Sequence, residues 1–282
     1  MSEKKQSSRL IVNLIGIPVI LAILYVGDDY HFPFFSLFVL IVQLLCVKEF
    51  PVFLKSKGGK IFMPLLYGSI ILIQLFRYNL TSLDFNRYEI PPIGIGFLMA
   101  VTIIAICIEI FRGENTPLLN ISCLIFGVVW IGFMLGSMAI LRNFESIGRE
   151  IIFLMFFSIW ACDSAAFFFG AKFGKKKILP LVSPKKSWVG SISGFIATML
   201  VVYAFYFYNV FGDHLLSYHL IVLGIIYGAI SQLGDFGESL LKREVKIKDS
   251  SALLKGHGGV LDRFDSMLIA APLTYLYLVY FI

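Results

Sequence analysis

The sequence predicts an all-α polytopic membrane protein of about nine transmembrane helices, with a cytoplasmic N-terminus and an extracytoplasmic C-terminus. Three observations carry this reading. Of 282 residues, 58% are apolar and 15% charged, against about 45–50% and about 25% in soluble domains. Mean hydropathy is +0.85, more apolar surface than a water-soluble globule of this size can enclose. The apolar residues also fall in runs that suit a hydrocarbon core of about 30 Å, which a helix of roughly 17–25 residues crosses. An aromatic content of 16%, with 28 Phe, excludes a disordered chain.

The first run, 10–27, is long for the apolar part of a secretory signal, and no A-x-A site follows before Asp28, so it is read as a retained helix. Residues 31–47 follow after a tight turn at Gly27-Asp28-Asp29. The third run, 61–77, is short and stops at Arg77. It either tilts little or lets Arg77 snorkel. Six more runs follow at 93–111, 118–141, 151–170, 188–211, 215–234 and 266–282. The small-residue pairs Gly132/Gly136, Gly190/Gly194 and Gly224/Gly228 mark close helix approach. Cys46, Cys107, Cys123 and Cys162 lie in or beside apolar runs without a CxxC pair, and read as small core residues.

Charge placement orients the chain. With nine spans, 20 of the 24 Lys and Arg fall on the side of the N-terminus, leaving Arg77, Arg87, Arg142 and Arg149 opposite. The positive-inside rule makes the richer side cytoplasmic. The net charge of +6 therefore reflects orientation, and no nucleic-acid partner is expected. Two regions are expected: 1–150, with about five spans, and 151–282, which holds the chemistry and a polar stretch at 234–266.

Two cytoplasmic segments stand out. The first runs from Asp163 to Lys177 and on through Ser183-Pro-Lys-Lys-Ser-Trp-Val-Gly190; the second covers 234–265. In the second, Asp235, Glu238, Ser239 and Lys242 have i, i+3, i+4, i+7 spacing, one face of a helix if the eighth span continues past the membrane. Two carboxylates one turn apart suit oxygen coordination of a hard cation such as Mg2+; a solvated helix end with Glu–Lys pairs is the plain alternative. Asp262 and Asp265 repeat the i, i+3 pattern at the start of the last span, where acids also serve as caps. Between them Gly256-His257-Gly258-Gly259 can turn backbone N–H groups inward as an anion nest. Lys242, Arg243, Lys246, Lys248, Lys255 and Arg263 surround it. Carboxylates, cations and a glycine nest together suit Mg2+ with a polyphosphate.

Asp163 lies inside an apolar stretch between Trp160 and Phe167. An intramembrane carboxylate faces a partner, a cation or a watery cavity, or it is simply buried against a lysine. Lys175, Lys176 and Lys177 read as topology determinants. Lys185 and Lys186, after the Ser183-Pro184 turn, can present cations to a phosphate. His257 is the histidine of interest, whereas His31, His214 and His219 fall on the outer side and read as incidental.

The run Ser239-Leu-Leu-Lys-Arg, Lys248-Asp249 and His257-Gly-Gly-Val-Leu-Asp-Arg-Phe-Asp265 resembles the signature of phosphatidate cytidylyltransferases, the CDP-diacylglycerol synthases. Asp163-Ser-Ala and Ser183-Pro-Lys-Lys-Ser-Trp resemble the family's second, looser block. The likeness is strong over about 160–266, whereas the first 150 residues match only as apolar spans. Lys255 stands where the family has Pro, Val189 where it has Glu, and Ser187 where it has Thr.

The resemblance implies transfer of CMP from CTP to phosphatidic acid, giving CDP-diacylglycerol and pyrophosphate. It also implies a cavity open to the cytoplasm of a bacterial inner membrane, a Mg2+ requirement (with a second cation left open) and a homodimer. Mapped onto this chain, it makes Asp235 and Asp262 the main metal ligands, supported by Asp265, Asp249 and Glu238. Lys242, Arg243 and His257 join the catalytic set, His257 binding phosphate or shaping the loop rather than acting as a base. Substrate contacts fall to Asp163, Ser183, Lys185, Lys186, Lys248, Asp249, Gly256, Gly258, Gly259 and Arg263. A CDP-archaeol synthase or polyprenol kinase is the rival within the class. A cation transporter fits less well, because the acids crowd the cytoplasmic edge rather than the midplane of several spans.

Overall fold

The computed structural model describes residues 16–26, 33–80, 90–144, 146–251 and 258–282. Nine apolar helical runs carry these residues. Seven are long and apolar enough to cross a bilayer, and two, Gly16–Val26 and Met63–Arg77, are shorter. The chain is a polytopic integral membrane protein. In order, α1 is Gly16–Val26, α2 Phe34–Glu49, α3 Val52–Lys55, α4 Met63–Leu80 and α5 Ile90–Arg112. Then come α6 (Pro117–Gly127), α7 (Ser137–Arg142), α8 (Gly148–Phe173), α9 (Trp188–Phe207), α10 (Ser217–Ile225), α11 (Gln232–Glu244) and α12 (Leu261–Phe281). Two π-helical stretches, Val128–Leu135 and Ile226–Ile230, join α6 to α7 and α10 to α11.

Burial separates the helices that organise the bundle from those that face lipid. The span Pro117–Arg142 is 67% buried, whereas Ile93–Arg112 is 17% and Trp188–Phe207 is 22%. Lipid tails are as apolar as leucine, so close packing and interhelical hydrogen bonds hold such a bundle together. The glycines supply the packing. A β-carbon on Gly190 would lie 2.8 Å from the Ala166 carbonyl oxygen, and one on Gly194 would lie 2.8 Å from Cys162. The small-residue pairs of the sequence thus bring α9 onto α8, and Gly228 meets Thr198 in the same way.

A π-helical turn frees backbone carbonyls, which must find donors in an apolar medium. Gln43 Nε2 supplies Ile131 O (2.7 Å) and Gly132 O (3.0 Å). Arg77 supplies Gly132 O (3.3 Å) and Phe133 O (3.0 Å). Arg77 therefore turns into the bundle rather than snorkelling. His219 is also more than incidental: it is buried, with Nδ1 2.8 Å from the Tyr277 hydroxyl. Cys46 and Cys162 are buried free thiols, but Cys107 is exposed and so is no core residue.

The regions 1–150 and 151–282 share one core. Helix α12 packs on the first π-helical stretch and on α7 as well as on α11, and Phe38 of α2 meets Phe264 at 6.2 Å between ring centroids. The turn at 27–29 and the residues His31 and Arg87 lie outside the described residues.

Candidate active site at the α11–α12 crossing

The run Ser217–Glu244 is 28 residues long, about 42 Å at about 1.5 Å per residue. It overshoots a bilayer core, so its last turns project beyond it. The expected end at 234 is thus the end of the apolar run and not of the helix, and the helix face predicted at 235–242 exists. Gly234 lets α11 cross α12 at backbone distance, since a β-carbon there would overlap the Asp265 carbonyl. That crossing sets Asp235, Glu238 and Lys242 against the first turn of α12, which carries Asp262 and Asp265.

Beyond Asp235, which is one-third exposed, the polar face is buried rather than solvated. Glu238 is fully buried, and Ser239 and Lys242 are 7% exposed. Lys242 Nζ donates to Glu238 Oε2 at 2.9 Å and to Asp262 Oδ1 at 2.6 Å. The second oxygen of Asp262 accepts the Gly259 N–H (2.6 Å), the Ser250 N–H (3.2 Å) and the Ser250 hydroxyl (3.1 Å). Asp262 therefore has a full set of protein donors. Glu238 Oε1, by contrast, has no protein donor.

Asp235 faces a different neighbour. Its Oδ2 lies 2.6 Å from Lys186 Nζ, and its Oδ1 accepts from the Ser239 hydroxyl at 3.2 Å. The lysine also stands 4.3 Å above the Phe236 ring. Lys186 reaches the site because a tight turn closes 179–186, with Ser183 N–H bonded to Leu179 O and Lys186 N–H to Ser183 O. An isolated antiparallel bridge, Lys177 to Ser187, ties the turn's base. Asp163, itself exposed, lies within electrostatic reach of the Lys186–Asp235 pair and of the exposed Arg263, and Asp265 lies within reach of Asp235, Glu238 and Asp163.

The structure thus brings Asp163, Lys186, Asp235, Glu238, Lys242, Asp262, Arg263 and Asp265 together. Other candidates fall elsewhere. Arg243 Nε donates to the Val182 carbonyl (3.1 Å) and its Nη1 to the Ile247 carbonyl (3.0 Å), so it fastens the 179–186 turn rather than facing the carboxylates. Lys185, Lys248 and Asp249 are exposed. Gly256 and His257, with Lys255, lie outside the described residues. Of the expected anion nest, Gly258 and Gly259 are described: the Gly259 N–H is taken by Asp262, and the next two N–H groups in the chain, Val260 and Leu261, by Glu49. Gly259 consequently has no N–H left for a phosphate. Gly258 adopts φ +81°, which places its backbone beside Asp262.

Sequence reading missed Glu49, Ser250 and Ser251. Nothing in Lys48-Glu49 at the end of an apolar run separates it from an ordinary interfacial pair.

A model of the cytidylyltransferase family matches residues 7–281. The chain belongs to that family. Among its relatives, a phosphatidate cytidylyltransferase of Haemophilus influenzae is 44% identical over 134 residues, 46% of each chain. One of Bacillus subtilis is 29% identical over 287 residues, spanning the whole of both chains, and one of Brucella suis is 36% identical over 65% of this chain and 64% of its own. The aligned stretch covers about half the length of the Haemophilus relative.

For a cytidylyltransferase fold, the donor chemistry of the crossing bears directly on a metal. Among the described residues, no three His, Cys, Asp or Glu side chains converge as a ready-made cage. Mg2+ does not require one; it is commonly held by one or two carboxylates, with substrate phosphates and water completing the shell. The carboxyl groups of the cluster outnumber its cations five to three, and the buried Glu238 Oε1 has no protein donor. A hard cation carried in with an anionic substrate fits that excess. Asp262 is held on both oxygens by protein donors and Asp235 by Lys186 and Ser239, so an ion at Asp235 would displace the partly exposed Lys186.

Proposed function

We propose that this chain transfers the cytidylyl group of CTP to phosphatidic acid, releasing pyrophosphate, at a site open to the cytoplasm of a bacterial inner membrane. The observation that carries the reading is the family match across 7–281, which takes in both the Glu49 end of α2 and the α11–α12 crossing. That its relatives are phosphatidate cytidylyltransferases supports the acceptor.

The mechanism follows from charge. A phosphate monoester is largely ionised at neutral pH, its second pKa being near 6. A phosphatidate oxygen therefore attacks the α-phosphorus of CTP without a strong base. The new bond joins that oxygen to the α-phosphorus as the bond to the β-phosphoryl bridging oxygen breaks, and pyrophosphate leaves with the electron pair. Both reactants are anions, so screening and in-line alignment supply the rate. Lys186 and Arg263 are the cations placed to screen. Lys242 instead fixes Asp262 and Glu238. Bound Mg2+, held by Asp235 and Asp265, would neutralise charge on the phosphates. Asp163 lies within electrostatic reach of both cations and would add to the charge they face.

The reading includes nine spans with the N-terminus inside, and a homodimer, which cross-linking in native membranes tests. The reaction is tested with pure protein in mixed micelles containing Mg2+, phosphatidic acid and CTP, following CDP-lipid and pyrophosphate together. Equal amounts of both, lost in Asp235→Ala, support it. Release of CDP in place of pyrophosphate assigns a lipid kinase.

A further inference from the structure

Glu49 closes α2 at 4% exposure, and a buried carboxylate is costly unless it is fully hydrogen-bonded. Its four donors come from the far half of the chain. Oε1 accepts from the Ser251 hydroxyl and from the Val260 N–H at 2.9 Å. Oε2 accepts from the Ser250 hydroxyl at 3.1 Å and from the Leu261 N–H at 2.9 Å. Two donors thus precede the glycine-rich loop and two begin α12, whose N-terminal dipole favours a carboxylate.

Ser250 connects this contact to the site. Its hydroxyl has one proton and so serves one carboxylate at a time. With that proton on Glu49, the Ser250 N–H still serves Asp262 at 3.2 Å, and both acids are satisfied. Gly259 bears independent witness, because a β-carbon there would overlap Ser250 Oγ and the Glu49 carboxylate.

We propose that Glu49 is a positioning residue of the site: it clamps the two ends of the loop between Ser251 and Val260, and through Ser250 it sets Asp262 and hence Lys242. Helix α2, which carries no residue of the signature, thereby fixes the geometry of the signature. The effect on turnover rests on the cytidylyl-transfer reading; the clamp itself does not.

The test compares wild type with Glu49→Gln, Glu49→Asp and Ser251→Ala, measuring steady-state kinetics with CTP and hydrogen–deuterium exchange over 245–262. Glutamine keeps the shape but turns an NH2 group toward N–H and O–H donors. In Glu49→Gln, exchange is expected to rise across 245–262 and not in α8 or α9. The kcat/KM for CTP should fall about 10–100-fold, the scale seen for supporting partners of a site, with KM for phosphatidic acid unchanged. Glu49→Asp, which keeps the charge on a shorter arm, should recover part of the loss. Activity of Glu49→Gln at the wild-type level, or exchange unchanged in that segment, overturns the proposal. If Glu49→Gln fails to fold, Ser251→Ala decides, since it removes one bond of the clamp: raised exchange over 245–262 supports the proposal and unchanged exchange overturns it. If wild type makes no CDP-lipid, the reaction reading falls, and the exchange difference alone decides the clamp.

Discussion

Lys242 and Asp262 stand 20 residues apart in the chain and 2.6 Å apart in space, Nζ to Oδ1. Glu238 completes the contact from one turn below Lys242, so a single ammonium hydrogen-bonds two carboxyl groups where little water reaches. Removing one partner of a buried pair commonly costs about 3–5 kcal/mol, because the remaining charge is stranded. Lys242→Met should therefore lower the unfolding temperature in detergent clearly and abolish CTP turnover. A variant with wild-type melting would show that Glu238 and Asp262 do not depend on this cation.

The Lys186–Asp235 pair has the opposite character. Both side chains are about one-third exposed, at 28% and 33%, and pairs that wet add only about 0–1 kcal/mol to stability. Lys186→Met should leave melting nearly unchanged while reducing turnover by about tenfold or more, as expected for a cation that screens two anions. Turnover equal to wild type would remove Lys186 from the reaction.

Gly237 and Gly259, 22 residues apart, make a contrasting pair. Gly237 has nothing within 4 Å of where a β-carbon would sit, whereas Gly259 has Ser250 and Glu49 there. Gly237→Ala should be neutral or stabilising by about 0.5–1 kcal/mol, since alanine is the better helix former. Gly259→Ala should lose most activity. Equal activity of the two variants would mean that the loop tolerates displacement of Glu49.

Arg77 and Gln43 supply the carbonyls freed at Ile131–Phe133. Hydrogen bonds between membrane helices average about 0.6 kcal/mol and reach about 1.7. Arg77→Met should thus destabilise by about 1–3 kcal/mol while activity per folded molecule holds. Loss of activity without loss of stability would tie the π-helical stretch to turnover.

Topology is checked by labelling. A thiol probe on Pro180→Cys should react from the cytoplasm and one on Asp213→Cys from outside; reversed labelling overturns the orientation.

The spans were legible because long apolar runs are the loudest signal a membrane sequence carries. The polar face of α11 was legible because its spacing matches a helix. Boundaries were less so: the last span was expected from 266 and its helix begins at Leu261, because hydropathy marks contact with lipid and not the end of hydrogen bonding. Glu49 was invisible, since its partners lie about 200 residues away and its neighbours look interfacial. The glycine loop was read from local conformation, which does not say that a protein carboxylate, Asp262, takes the N–H of Gly259. Arg77 pointed inward for a reason, the freed carbonyls, that no local pattern announces.

The π-helical stretch at Ile226–Ile230 divides one long rod into two parts with separate phases. An α-helix advances about 100° per residue, and a π-helical turn holds an extra residue. Deleting one residue there would close the stretch to an ordinary α-helical turn with α10 and α11 still in phase, whereas deleting one from the regular α-helix above it would swing Asp235 and Glu238 by about 100° off the carboxylate cluster. The stretch works as a slip joint: below it the rod's orientation answers to its packing in the membrane, above it to the chemistry, and neither constraint has to be compromised for the other.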